Sequence, residues 1–225
     1  MSCAKQLLIF GDSSFAEVAY ECFTHDSDFE VIGFVVESAY ITKSELFGLP
    51  VVPLEDLEKH FPSRDLYFYV ALVYSQLNRL RTRIFLLLKS MGYRPASYFS
   101  SKASIWHNVI FGEHCFVFED NTLQPFVRIG DNVVLWSGNH IGHHTHVHDN
   151  CFISSHVIVS GHCIIGAHSF LGVNSTLANN VALGKDNWIG PSTLVIKNTD
   201  DASLIKTDAP TASKISSLRF FKVRE

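Results

Sequence analysis

No apolar run in this 225-residue chain approaches the ~20 residues that a membrane-spanning helix needs; the stretch near the start, LLIF, has four. The opening, MSCAKQLLIFGD, also lacks the basic, apolar and small-residue order of a secretion signal, so the expected location is the cytoplasm. Positive charge is not in excess: 18 Lys and Arg stand against 22 Asp and Glu, a formal net charge of −4. That removes the usual basis for general nucleic-acid or anionic-membrane binding. The five cysteines (3, 22, 115, 151 and 163) form no CxxC pair and no zinc-ribbon spacing. An odd number in a chain without a secretion signal argues for free thiols. The GxGxxG dinucleotide fingerprint is missing too, since the turn IFGDSSFAE keeps one glycine, Gly11. What is left is a 47% hydrophobic, slightly acidic globular chain, long enough for one large domain or two small ones.

The second half carries a repeat. From Ile105 to Val195, every sixth residue is Ile, Leu, Val or Phe, sixteen in succession without a slip. The position after it is often glycine (112, 130, 142, 166, 172, 184 and 190), which suits a tight corner with unusual backbone angles. The position two before it is small, β-branched or Asn, as at Cys115, Asn121, Val127, Thr145, Cys151 and Cys163. A period of six is neither the helical 3.6 nor the alternation of a strand. It predicts a parallel β-helix whose short strands each send one large and one small side chain inward, with residues 18 apart stacked on successive coils. Over about 105–198 the pattern resembles the left-handed β-helix of the hexapeptide-repeat acyltransferases. In that register Cys115, Cys151 and Cys163 fill the small inward slot, so they are structural.

Residues 1–95 read as alternating strands and helices. KQLLIFG (5–11) is a buried strand, and the helix after it has Asp12 or Ser13 as its cap. FEVIGFVVE (29–37) and DLYFYVAL (65–72) are strands, LPVVPLEDLEKHF is a short strand and helix, and NRLRTRIFLLLKSMG (78–92) is a helix. The alternation predicts a small parallel, Rossmann-like α/β domain over 1–95, followed by the β-helix over 96–199 and a tail over 200–225.

This order of parts resembles the bacterial nucleotide-aminosugar N-acyltransferases that build deoxysugars for surface polysaccharides and glycans. The resemblance implies a homotrimer that uses acyl-CoA, either acetyl-CoA or a hydroxyacyl-CoA, with no metal. The acceptor it implies is a dTDP- or UDP-linked 3- or 4-amino-deoxysugar. The family's first turn, glycine-rich with a GHG-like element, holds the nucleotide diphosphate; carried over, it maps to Gly11, Ser13, Ser14 and Phe15. Here Ser14 and Phe15 replace the glycine and histidine. The acidic end of the second strand, Glu37, would lie near the base.

GNHIGHHTHVHDNC (138–151) holds five of the chain's twelve histidines. His143, two residues after the inward Ile141, matches the family's general base; imidazole is the side chain best suited to take a proton near neutral pH. The family's acidic neighbour is His144 here, and the two form the candidate catalytic pair. His144 and His162 are 18 apart and should stack, while His146 and His148 straddle Val147 and point outward. The resemblance assigns the backbone N–H of Gly161, 18 residues after His143, to the thioester oxygen. It places His140 and His156 near sugar or thioester, and Lys214, within DAPTASK, near the phosphates of coenzyme A. His107, His114 and His168 are expected at the surface or an interface. The amine would attack the thioester directly, because no Cys–His or Ser–His pairing suggests an acyl-enzyme. Sugar O-acetylation uses the same chemistry and stays open. So does a zinc-dependent reading, since γ-class carbonic anhydrases share the β-helix and bind zinc through three histidines from two subunits. Against zinc, three ligands drawn from one short exterior stretch should not converge, and those enzymes lack an α/β domain.

Overall fold

The structure is a computed structural model and describes residues 5–63, 65–208 and 211–223. The N-terminal part comprises β1 (Lys5–Phe10), α1 (Ser14–His25), β2 (Phe29–Val36), β3 (Glu45–Leu46), β4 (Leu49–Pro53), α2 (Leu57–His60), β5 (Tyr67–Val70), α3 (Arg79–Ser90) and β6 (Arg94–Pro95). They form one sheet of order β3-β4-β2-β1-β5-β6, parallel except for the β3–β4 pair. A central parallel strand is buried on both faces, which is why β1 reads as the unbroken run LLIF. Alternate side chains go opposite ways. Leu7 and Ile9 pack with α1, whereas Leu8 and Phe10 pack with α2 and α3.

From residue 98 onward the chain coils into three parallel sheets of two-residue strands, with seven, six and five strands. Up to Val195 each strand pairs with its neighbours 18 residues before and after, as Thr122, His140 and Ile158 do, and the last pair, Trp188 with Leu204, is offset by 16. These sheets and the six-residue repeat match the left-handed β-helix. The second residue of each strand points inward, and Ile141, Val147 and Ile153 are fully buried. Cys115, Cys151 and Cys163 are buried in the same core as free thiols. Burial pushes the Cys115 and Cys151 thiols up to about 12, so neither is a nucleophile at neutral pH. Cys3 lies outside the described residues.

The corners correct one expectation. None of the seven repeat glycines has a positive φ; from Phe111 to Ile189 the left-handed residue is the third after the inward residue, such as His144 (φ 59°), Asn150 (62°) and His156 (57°). Asn and His enter that region more readily than most residues, which accounts for much of the histidine content of the coils. The glycines serve a different need. A Cβ on Gly142 would stand 2.6 Å from the Gly161 nitrogen, so successive coils require a bare backbone there.

The two parts share a core. On the seven-stranded sheet the outward residues Phe116, Val134, Phe152 and Phe170 are buried under the α/β part. Phe15 of α1, 3% exposed, packs its ring 5.6 Å from that of Phe116 and 5.1 Å from that of Trp136. At the adjoining corner, stacked polar residues meet α3 and β5. The Val70 N–H donates to His114 Nε2 (2.9 Å), which leaves His114 Nδ1–H to donate to Asn132 Oδ1 (2.8 Å). Asn132 Nδ2 donates to Asn150 Oδ1 (2.8 Å), and the Arg81 guanidinium donates to the Asn132 carbonyl. His114, expected at the surface or a subunit interface, is instead fully buried within the chain, because its two ring nitrogens find partners on the α/β part and on the next coil. Among the described residues, no helix is long and apolar enough to cross a membrane.

Candidate active site

Two regions gather the candidate residues. The first is a cavity of about 400 Å³ at the C-terminal ends of β1 and β2, where parallel sheets bind ligands. Gly11, Ser13 and Glu37 line it, together with Asp12, Tyr40 and Arg83. Gly11 turns the chain with φ +119°, and a Cβ there would stand 3.1 Å from the Ala71 carbonyl oxygen. Ser13 caps α1 in an extended conformation without a side-chain capping bond. The first intrahelical bonds run from Ala16 and Glu17 N–H to the Ser13 carbonyl, so the amides of Ser14 and Phe15 stay open at the helix start. Such a terminus favours an anion through both its N–H groups and its dipole. Ser14 is exposed at this end without lining the cavity. The Phe15 side chain is turned away into the shared core, because a large apolar ring gains more by burial against Phe116 than by facing a phosphate. Glu37 receives two bonds of 3.0 Å from Arg83 of α3.

The second region is an exterior corner of the β-helix. The ring of Phe126 lies 4.6 Å from that of His144, and His144 stacks on His162 at 4.8 Å with an interplanar angle of 16°. All three occupy the left-handed corner position on successive coils. His143 stands beside this column, its backbone N–H held by Gln124 Oε1 at 2.9 Å. Its Nδ1 meets His144 Nδ1 at 3.2 Å, so one of the two nitrogens carries the shared proton. When His143 is the donor, its Nε2 lone pair is free for a substrate proton.

Gly161 lies directly against that ring. A Cβ on it would stand 2.7 Å from His143 Cε1 and 2.8 Å from Nε2. Alanine at this position is therefore expected to displace the His143 ring and to lower turnover by more than tenfold with little change in the melting midpoint. Steady-state rates and a thermal scan of Gly161→Ala check this. The Gly161 N–H, which the resemblance assigns to the thioester oxygen, donates here to Asn179 Oδ1 at 3.0 Å.

The remaining candidates stand apart from this pair. His140 is an outward strand residue between Thr122 and Ile158, and His156 sits at another corner with its ring against Gly138. Lys214 is exposed in the tail before the short helix α4 (Ser217–Phe220). His146 and His148 stack at 4.1 Å outside the cluster; burial, with the His148 and Arg128 charges, lowers the pKa of His146. None of these histidines lines the α/β cavity.

Convergence is greater than the single stretch implied. The ligand nitrogens of His143, His144 and His162 all lie within 4.8 Å of one another, because the third comes from the next coil. The 18-residue stacking of His144 on His162 was readable from the period, but the approach of His143 to both was not. Arg83 and Asn179 carried no sequence signal, since each reaches its site through tertiary packing.

The bacterial transferase hexapeptide (six repeats) family matches residues 144–179. No curated protein matches the sequence. Among solved structures, perosamine N-acetyltransferase from Caulobacter crescentus, in complex with CoA and GDP-perosamine, is 21% identical with a TM-score of 0.79. The match covers 88% of this chain and 92% of that one. A variant of the same enzyme with one histidine replaced by asparagine matches with a TM-score of 0.78 at 22% identity, over the same 88% and 92%. The acetyltransferase domain of PglB from Neisseria gonorrhoeae, in complex with acetyl coenzyme A, is 18% identical with a TM-score of 0.80, over 90% of this chain and 96% of its own. Residues 144–179 thus carry the bacterial transferase hexapeptide repeat, and the chain has the fold that these acetyltransferases share.

Proposed function

We propose that the protein transfers an acyl group from acyl-CoA to the amine of a nucleotide-linked amino-deoxysugar, a step in making surface polysaccharide or glycan. One observation carries this reading: an exposed imidazole, His143, lies against a bare glycine with its Nδ1 engaged by His144. The fold supports it, since the enzymes that share the architecture are N-acetyltransferases or hold acetyl-CoA. In the α/β cavity, Gly11, Ser13 and the amides opening α1 at Ser14 receive the diphosphate, and Glu37 faces the base, with dTDP or UDP as the expected nucleotide.

Turnover begins when the sugar ammonium gives a proton to His143 Nε2. The free amine attacks the thioester carbonyl, and negative charge develops on its oxygen. Gly161 N–H meets that oxygen once Asn179 Oδ1 gives way to it. The C–S bond then breaks, the thiolate of CoA takes the proton from the imidazolium, and the neutral His143 Nε2 takes the second proton from the acylated nitrogen and passes it to solvent, which completes the amide. His144 replaces the family's carboxylate by accepting from His143 Nδ1–H, which orients the ring without adding charge. His140 and His156 contact sugar or thioester, and Lys214 the phosphates of CoA. No metal enters these steps.

Association into a homotrimer in the cytoplasm completes the proposal. On the two β-helix sheets that the α/β part leaves open, the outward Ile158, Ile164 and Leu194 are 48%, 46% and 63% exposed. Apolar residues repeated along two faces suit contact with copies of the same chain.

The test is thiol release from acetyl-CoA and 3-hydroxybutyryl-CoA with dTDP-, UDP- and GDP-linked 3- and 4-amino-6-deoxysugars and their hydroxyl analogues. Release with an aminosugar and none with the matching alcohol is the expected result. Release with the alcohol alone would replace N-acylation by O-acylation, and no release from any pair would overturn both.

A further inference from the structure

We propose that His143, His144 and His162 form a site for one divalent transition-metal ion, and that an ion bound there halts acyl transfer. The first half stands on geometry alone, and the second rests on the reading of His143 as the base. Two nitrogens bound to zinc at 2.0–2.1 Å in a tetrahedron stand ~3.3 Å apart. His143 Nδ1 and His144 Nδ1 are separated by 3.2 Å, close to that spacing before any ion is present. The ligand nitrogens of all three residues lie within 4.8 Å of one another, and rotation of an exposed ring closes the remaining gap.

The backbone is already set for this. His144 and His162 occupy equivalent left-handed corners (φ 59° and 58°), and the His162 N–H donates to the His143 carbonyl at 2.9 Å. Both rings thus issue from a rigid frame and meet the third on the outer face. Three imidazoles with no carboxylate select zinc, cobalt, nickel or copper over magnesium and calcium. The fourth position opens to solvent. An ion on His143 Nδ1 leaves the ring's proton on Nε2, so Nε2 has no lone pair for a substrate ammonium, and a ring held by the ion cannot turn toward the amine. Metal binding and proton transfer therefore compete for His143.

The experiment uses the full chain without a polyhistidine tag, stripped with EDTA and titrated with Zn²⁺ by calorimetry and with Co²⁺ by visible absorption. One ion per chain and a Co²⁺ spectrum of tetrahedral intensity are expected. The variant His162→Asn should fold, because Asn180 fills the same corner one coil further on with φ 63°. It is expected to weaken Zn²⁺ binding by at least about 10–100-fold, the loss that removing a mere outer partner causes. Because His162 packs on the His143–His144 pair, the effect of Zn²⁺ on each protein is read against its own acyl-transfer rate in EDTA. Zn²⁺ should stop the wild-type enzyme, EDTA should restore it, and His162→Asn should resist the same Zn²⁺ concentration.

A wild-type chain that takes up no ion, or a variant that binds as tightly as the wild type, overturns the site. Bound Zn²⁺ that leaves acyl transfer unchanged, or raises it, overturns the inhibition. Failure of every acyl donor and acceptor would instead count against the acyltransferase reading, while the calorimetric arm would still decide the site.

Discussion

Replacing His143 with asparagine is expected to lower kcat for aminosugar acylation by about 10²–10⁴-fold, the usual contribution of a positioned general base. KM for both substrates and the melting midpoint should change little. The side chain is exposed, its contacts are with His144, His162 and Gly161, and no buried group loses a partner when it goes. Steady-state kinetics over a pH series, read beside a thermal scan, separate the outcomes. A rate loss without a stability loss supports the base. An undiminished rate would move proton removal to another group or to the substrate itself, and a parallel loss of rate and stability would mark His143 as structural.

The second large effect concerns stability. His114→Ala should destabilise the protein by about 2–5 kcal/mol, because two buried groups lose their partners at ~1–3 kcal/mol each. These are the Val70 N–H and Asn132 Oδ1, both at the junction between the α/β sheet and the β-helix. The thermal midpoint should fall by about 5–15 °C. The same residue makes the wild type acid-sensitive. Burial, aided by the charge of Arg81, holds the His114 imidazole down to about 3, so it stays neutral in the native state. The unfolded chain binds that proton below ~6.5. Its contribution is therefore complete above ~6.5 and is lost by about 1.4 kcal/mol per unit as pH falls from there toward 3. Denaturant midpoints between pH 7 and pH 4 should slope less steeply in the variant than in the wild type. Equal slopes would show that His114 is not the neutral buried group.

How far these sites could be read without coordinates follows from the kind of order each obeys. A β-helix is a one-dimensional repeat, so a six-residue period already fixes which side chains point inward and which stack 18 apart. Ile141 in the core, Cys151 in the small slot and His144 under His162 all follow from counting. The same counting did not show which residue takes the left-handed corner. The conspicuous glycines mark close approach between coils, whereas most of the corners fall to His and Asn, whose side chains tolerate that conformation.

Everything that joins unlike parts escaped the period. The aromatic outward residues Phe116, Phe152 and Phe170 became core because the α/β part packs on that one face. Phe15 left the phosphate turn for the same reason, and Arg83 came to Glu37 because α3 packs back over β5. Asn179 on the Gly161 amide, and His143 leaning toward both stacked histidines, depend on rotamers rather than on position in a repeat. Strand and coil register are local and periodic, so composition and spacing specify them. Docking one layer on another depends on the shapes of two finished surfaces, and the residues that meet across it come from distant, non-repeating stretches of chain.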